Sequence, residues 1–138
     1  MGLKILVVED DFTSRKVMCG MLNPYGDCDI AVNGKEAVRA FKEALDHGKK
    51  YDLICLDIMM PEMDGQDALK EIRRIERERD IIGSDSVKII MTTALSDSKS
   101  LIKAFREQCE AYIVKPIRKE KLLEQLHLLG LVPPGSNQ

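Results

Sequence analysis

The chain lacks the features that would place it in several large classes. Its four cysteines, Cys19, Cys28, Cys55 and Cys109, show no CxxC spacing and lie in or beside apolar segments. That argues for reduced core thiols rather than a disulfide frame or a zinc site. No apolar run approaches the length that spans a bilayer, and the apolar stretch of the opening MGLKILVV is too short for a signal peptide and runs straight into acids. Position 6 is Leu, where an N-myristoylation signal places Ser or Thr. There is no excess of positive charge: 21 Lys and Arg against 23 Asp and Glu leave a net charge of -2, so nucleic-acid binding by bulk charge is not expected. These absences predict a cytoplasmic protein with reduced thiols, no membrane insertion and no direct nucleic-acid contact. What is present, 44% hydrophobic and 32% charged residues in 138, is the composition of one soluble globular domain.

The chain is organised around Tyr51 to Gly65, YDLICLDIMMPEMDG. Leu53 to Leu56 is apolar without alternation, the pattern of a strand covered on both faces, and it stops at Asp57. Pro61 favours a turn after it, and Asp64-Gly65 opens a helix. The same arrangement occurs at the start, where the run Leu3 to Val8 ends at Glu9-Asp10-Asp11. A helix follows from Thr13 to Leu22, with Asp11 or Thr13 available as its cap. Cys28 to Val32 reads as a second strand, and Asn33-Gly34 leads into a helix with Ala37, Val38, Phe41 and Leu45 on its apolar face. Ala68, Leu69, Ile72 and Ile75 stripe a third helix, whose charged half from Arg73 to Asp80 reads as a solvated extension because the signs alternate. Val87 to Met91 is a fourth strand. Leu101, Ile102 and Phe105 mark a fourth helix, Ala111 to Val114 a fifth strand, and Arg118 to Leu129 a last helix. Strands and helices in strict alternation predict an α/β fold, a flavodoxin-like doubly wound parallel sheet of five strands in the order 2-1-3-4-5 with five helices. The domain is expected over residues 1–131, with 132–138 as a loosely ordered or disordered tail.

That order puts the ends of strands one and three side by side at the switch point, where ligands bind in such sheets. Glu9 and Asp10, Asp57, Thr93 and Lys115 then face one edge. Three crowded carboxylates call for a raised pKa or a divalent cation, and all-oxygen ligands favour Mg²⁺, with Mn²⁺ as a substitute. A hydroxyl and an ammonium opposite them suit phosphoryl oxygens, and a carboxylate accepts a phosphoryl group as an acyl phosphate. Each residue alone has a plainer reading: Glu9, Asp10 and Asp11 as a solvated cap, Thr93 as a helix-start hydroxyl, Lys115 as a surface lysine, Tyr112 as a half-buried strand aromatic.

LVVEDD, LDIMMPEMDG, MTTA and YIVKP, in this order and at these separations, make residues 3 to 131 resemble a receiver domain of bacterial two-component response regulators, similar to the stand-alone chemotaxis type. The resemblance implies metal binding by Glu9, Asp10 and Asp57 with the Met59 backbone carbonyl, and phosphorylation of Asp57 from a histidine kinase or histidine phosphotransfer protein. It implies that Thr93 and Lys115 contact the phosphoryl group, that Thr93 and Tyr112 act as a switch, and that the Lys115-Pro116 peptide is cis. Met59 and Leu95 stand where residues of the family tune hydrolysis of the acyl phosphate. Both are apolar here, which predicts a long-lived phosphorylated state. Donor docking is expected on the first helix around Ser14, Val17 and Met21 with the loop after Lys115, and output through a basic-leaning face with Lys99, Lys103, Arg106, Tyr112 and Lys119. On these implications the chain catalyses its own phosphorylation and dephosphorylation rather than turning over an external substrate.

Three alternatives share parts of this pattern. A haloacid-dehalogenase-like phosphatase carries a second Asp two places after the acceptor, where this chain has Met59. A flavodoxin uses a Ser/Thr/Gly-rich phosphate loop, whereas Glu9-Asp10-Asp11 would repel a phosphate. A phosphate sink or an unphosphorylated scaffold receiver keeps the fold without the signalling output.

Overall fold

The computed structural model describes residues 2–60, 62–93 and 109–133. Five strands, β1 (Leu3–Val8), β2 (Gly26–Ala31), β3 (Leu53–Asp57), β4 (Lys88–Thr93) and β5 (Ala111–Val114), form one parallel sheet in the order β2-β1-β3-β4-β5. The helices described are α1 (Phe12–Leu22), α2 (Gly34–Asp46), α3 (Gly65–Glu78) and α4 (Lys119–Leu128). The fourth helix expected from Leu101, Ile102 and Phe105 lies outside the described residues.

Why the central strands read as apolar runs is visible in the two cores. Leu6, Val8, Ile54, Leu56, Ile89 and Met91 pack on one face beneath Phe41 of α2 and Leu69 and Ile72 of α3. Their neighbours in sequence, Ile5, Val7, Leu53, Cys55 and Ile90, pack on the other beneath Met18 and Leu22 of α1 and Leu122 and Leu126 of α4. Both faces of the central strands are thus dry, and every residue of β3 is buried. Burying Ile54 and Leu56 alone removes side chains worth about 1.5–3 kcal/mol each from water.

Helix starts are fixed by short polar side chains. Asp11 caps α1 by accepting from the Ser14 amide at 2.8 Å, Asn33 caps α2 through the Glu36 amide at 2.9 Å, and Asp64 caps α3 through the Asp67 amide at 2.9 Å. Of the two caps open to α1, the structure therefore selects Asp11, and the Ser14 amide and hydroxyl hold its carboxyl below the usual aspartate range.

Several details depart from the sequence pattern. The strand β2 begins two residues early, because parallel pairing with Leu3 and Lys4 takes in Gly26 and Asp27. At the other end of the sheet β4 runs on through Thr92 and Thr93, which pair with Ile113 and Val114. The charged half of α3 is not a solvated extension throughout. Arg73 and Glu76 are 5% and 3% exposed, and Arg73 donates to Glu76 at 2.7 Å, to the Val87 carbonyl at 2.9 Å and to Glu110 at 2.8 and 3.1 Å. Val132, read from sequence as the start of the tail, is buried against the α4 side of the sheet. Residues 134–138 lie outside the described set.

Candidate functional site

The site lies at the carboxyl edge of the sheet, where the order reverses between β1 and β3. Pairing of Val8 with Leu56 places Glu9 and Asp10, just past β1, beside Asp57 at the end of β3. Glu9 is pinned further by its amide, which donates to the Ala31 carbonyl at 3.0 Å. Ligand oxygens of Glu9, Asp10 and Asp57 all lie within 4.8 Å of one another, with Glu9 and Asp57 buried and Asp10 exposed. The structure therefore brings these three predicted residues together.

Lys115 completes the cluster from the far strand. Its Nζ is 2.7 Å from Glu9 Oε2 and 3.4 Å from Asp57 Oδ2. Burial works against the ammonium, but its bonds to Glu9 and Asp57 hold its pKa above the ordinary lysine value. Asp57 is pushed up to about 6, first by burial and then by the charge of Glu9, against the opposing pull of Lys115. Thr93 ends β4 one residue past Thr92, the partner of Asp57, and its carbonyl accepts from the Lys115 amide at 2.6 Å. The β4–β5 ladder thus carries both Thr93 and Lys115 to the acid cluster, and the Lys115-Pro116 peptide is cis.

The remaining predicted residues are less closely gathered. Met59 follows Asp57 and is 74% exposed. Tyr112 pairs with Met91 on β5 and is 38% exposed, on the strand's outward side. Val17 is exposed on α1, Met21 partly so, and Lys119 opens α4, whereas Leu95, Lys99, Lys103 and Arg106 lie outside the described residues.

Two glycines allow the loops to close on this edge. A Cβ at Gly65 would fall 2.1 Å from the Asp57 carbonyl oxygen, and the Gly65 amide donates to Ile58 at 2.9 Å. A Cβ at Gly34 would fall 2.2 Å from the Met63 carbonyl, to which the Gly34 amide donates at 2.9 Å. The sequence shows Asp64-Gly65 and Asn33-Gly34 as helix starts but not these close approaches, because which backbone crosses them is a tertiary fact. Gly65→Ala should displace the start of α3 from Asp57, costing about 1–3 kcal/mol in urea unfolding and weakening divalent-cation binding; wild-type values for both would mean that the contact relaxes freely.

The donor set is all oxygen and carries three carboxylates against the Lys115 ammonium, a charge balance that suits a hard divalent cation. An acid at that point, with a hydroxyl-bearing residue and an ammonium from the next two strands, is also equipped to accept a phosphoryl group.

Known proteins agree with this architecture. The model of the response regulator receiver domain family matches residues 5–127. The chemotaxis protein CheY of Thermotoga maritima is 33% identical over 129 residues, covering 92% of this chain and 97% of its own. The osmosensing histidine protein kinase of Saccharomyces cerevisiae is 34% identical over 123 residues, which are 88% of this chain but only 10% of the kinase. Among solved structures, the receiver domain of a Pseudomonas aeruginosa sensor histidine kinase, with a magnesium ion coordinated in its active site cleft, superposes with a TM-score of 0.76 at 28% identity over 94% of this chain and 99% of that one. A match to the family model over most of the chain, on a sheet that gathers its acids, threonine and lysine at one edge, means that the protein belongs to the response regulator receiver domain family.

Proposed function

We propose that the chain is a cytoplasmic response regulator domain whose Asp57 accepts a phosphoryl group from the phosphohistidine of a sensor kinase or phosphotransfer protein. The observation that carries this reading is the buried Asp57 carboxylate set among Glu9, Asp10 and Lys115. Glu9, Asp10 and Asp57, with the Met59 carbonyl, are the groups that would hold Mg²⁺ or Mn²⁺, which would supply neutralisation of charge between the entering phosphoryl group and the acids.

The protein's own residues do the rest. An Asp57 oxygen attacks phosphorus, the P–N bond to the donor imidazole breaks, and the imidazole leaves with the bonding pair and is protonated from solvent. Lys115, nearer Glu9 than Asp57 in this structure, turns its ammonium toward the new phosphoryl oxygens, and Thr93 offers its hydroxyl to another. Movement of Thr93 makes room for Tyr112 to turn inward from the exposed side of β5, which changes the face that a target protein reads. The donor has a groove of about 430 Å³ between α1 and the segment after β5, lined by Thr13, Ser14, Val17, Met18, Pro116 and Ile117 with Glu9 and Lys115 at its base. Its apolar walls beside the Lys115 ammonium suit a helix that carries a phosphohistidine.

The alternative phosphatase reading has no support at Met59, which offers no acid to protonate a leaving group. Chemical mapping tests the proposal: after treatment with phosphoramidate and Mg²⁺, borohydride reduction should convert the residue at position 57 to homoserine. Reduction elsewhere, or nowhere, would remove the proposal.

Met59 also bears on lifetime. An exposed thioether beside Asp57 gives an attacking water nothing to bond, so the acyl phosphate should persist longer than in Met59→Asn/Leu95→Glu. Dephosphorylation measured by the decay of intact phosphoprotein mass should be faster in the double variant; slower decay there would contradict the argument.

A further inference from the structure

The linker between β1 and α1 carries two of the three clustered acids, and Asp10 in it is exposed. Besides the Glu9 amide bond to Ala31, a side chain of α1 reaches back to hold that linker. Arg15, on the first turn of α1, sends Nη1 back to donate to the Glu9 carbonyl at 3.0 Å and to the Asp10 carbonyl at 3.3 Å. Its guanidinium carbon stands 5.6 Å from the centre of the exposed Phe12 ring. The helix holds the base of this arm, since the Arg15 amide donates to Asp11 at 2.9 Å. One guanidinium therefore ties together the main chain of two successive acids at the point where the strand becomes a helix.

We propose that Arg15 is a positioning residue for the Glu9-Asp10 pair, holding both carboxylates in the arrangement that receives a divalent cation. The inference rests on the metal reading given above. It follows from the bonds and not from the charge, because the two effects of the side chain oppose each other. A cation close to the site repels Mg²⁺, so loss of the guanidinium charge by itself would tighten binding. Loss of its hydrogen bonds frees the linker, so the ligands must be ordered at the moment of binding and affinity falls. Lys16 supplies the control: its ammonium faces the same Phe12 ring at 5.8 Å, and it is exposed on α1.

Isothermal titration of the metal-free protein with MgCl₂ separates these effects. Arg15→Met should bind Mg²⁺ more weakly by on the order of 10-fold, Arg15→Lys should regain part of the loss through its donor nitrogen, and Lys16→Met should bind as well as wild type or slightly better. Melting curves without Mg²⁺ accompany each titration. A lowered melting temperature in Arg15→Met with an unchanged dissociation constant would show a merely structural side chain and overturn the proposal, as would tighter binding in that variant. Arg15→Lys no better than Arg15→Met would overturn hydrogen-bond donation as the cause. Failure of the wild type itself to bind Mg²⁺ is a different result, since it removes the metal reading and this inference with it.

Discussion

Arg73→Met is expected to cost about 3–5 kcal/mol in urea unfolding. The guanidinium lies 5% exposed between the carboxylates of Glu76 and Glu110, 3% and 25% exposed, and also donates to the Val87 carbonyl. Those carboxylates have second duties: Glu76 Oε2 accepts from the Val87 amide at 2.8 Å, and Glu110 Oε1 from the Ile89 amide at 2.6 Å. Removing Arg73 leaves two partly or fully buried negative charges facing each other, and neither can leave without exposing a backbone donor. Neutralising them should therefore restore stability: Arg73→Met/Glu76→Gln/Glu110→Gln keeps both acceptors and should recover much of the loss. A single variant within about 1 kcal/mol of wild type would mean that the network carries no more than an ordinary surface pair. The network matters beyond stability because it joins α3, which begins at the Asp57 loop, to the start of β5, which ends just before Lys115.

The second large effect has the opposite sign. In metal-free protein at pH 7.5, Asp57→Asn should be more stable than wild type by about 1–2 kcal/mol, after allowance for screening at the open edge of the sheet. The sign follows from the raised pKa. Burial and Glu9 lift Asp57 from 3.8 to about 6, so between about pH 4 and 6 the folded state holds a proton that the unfolded chain has released. Wild-type stability from this group therefore falls as pH rises through that window and stays low above it. The gain of Asp57→Asn should vanish near pH 4, where both forms are uncharged, and reach its full size above pH 6.5. Mg²⁺ should reverse the ranking: at 100 times its dissociation constant it adds about 2.7 kcal/mol to wild type by mass action, and far less to the variant. A destabilised Asp57→Asn at pH 7.5 would show instead that Lys115 outweighs burial and Glu9 together.

The strand order and the acid edge were legible because both are written in local pattern. A run such as LICLD has a single economical reading, a strand dry on both faces that stops at a charge, and five strand segments alternating with helical stripes leave few topologies. The cluster of Glu9, Asp10, Asp57 and Lys115 follows from that topology, although Lys115 is 106 residues from Glu9 in the chain. What pattern could not give was burial of charge. Arg73 and Glu76 sit in a stretch of alternating signs that looks solvated, and partners distant in sequence, the Val87 backbone and Glu110, make their burial tolerable. Arg15 was missed for a related reason: its partners are carbonyls, which every residue has and no sequence displays. Val132 follows Leu131 past the end of α4, and its place in the core depends on where that helix ends against the sheet.

Phosphoryl acceptance at Asp57 is the step that separates a phospho-switch from a passive scaffold. Intact mass should be measured after incubation with phosphoramidate, with and without Mg²⁺, for wild type and Asp57→Asn. The prediction is a gain of one phosphoryl group in wild type with Mg²⁺, and none when either Mg²⁺ or the Asp57 carboxylate is missing. A folded wild-type protein that gains no mass with Mg²⁺ present, or an Asp57→Asn variant that gains it equally, would contradict the reading and leave the domain a scaffold that binds without being phosphorylated there.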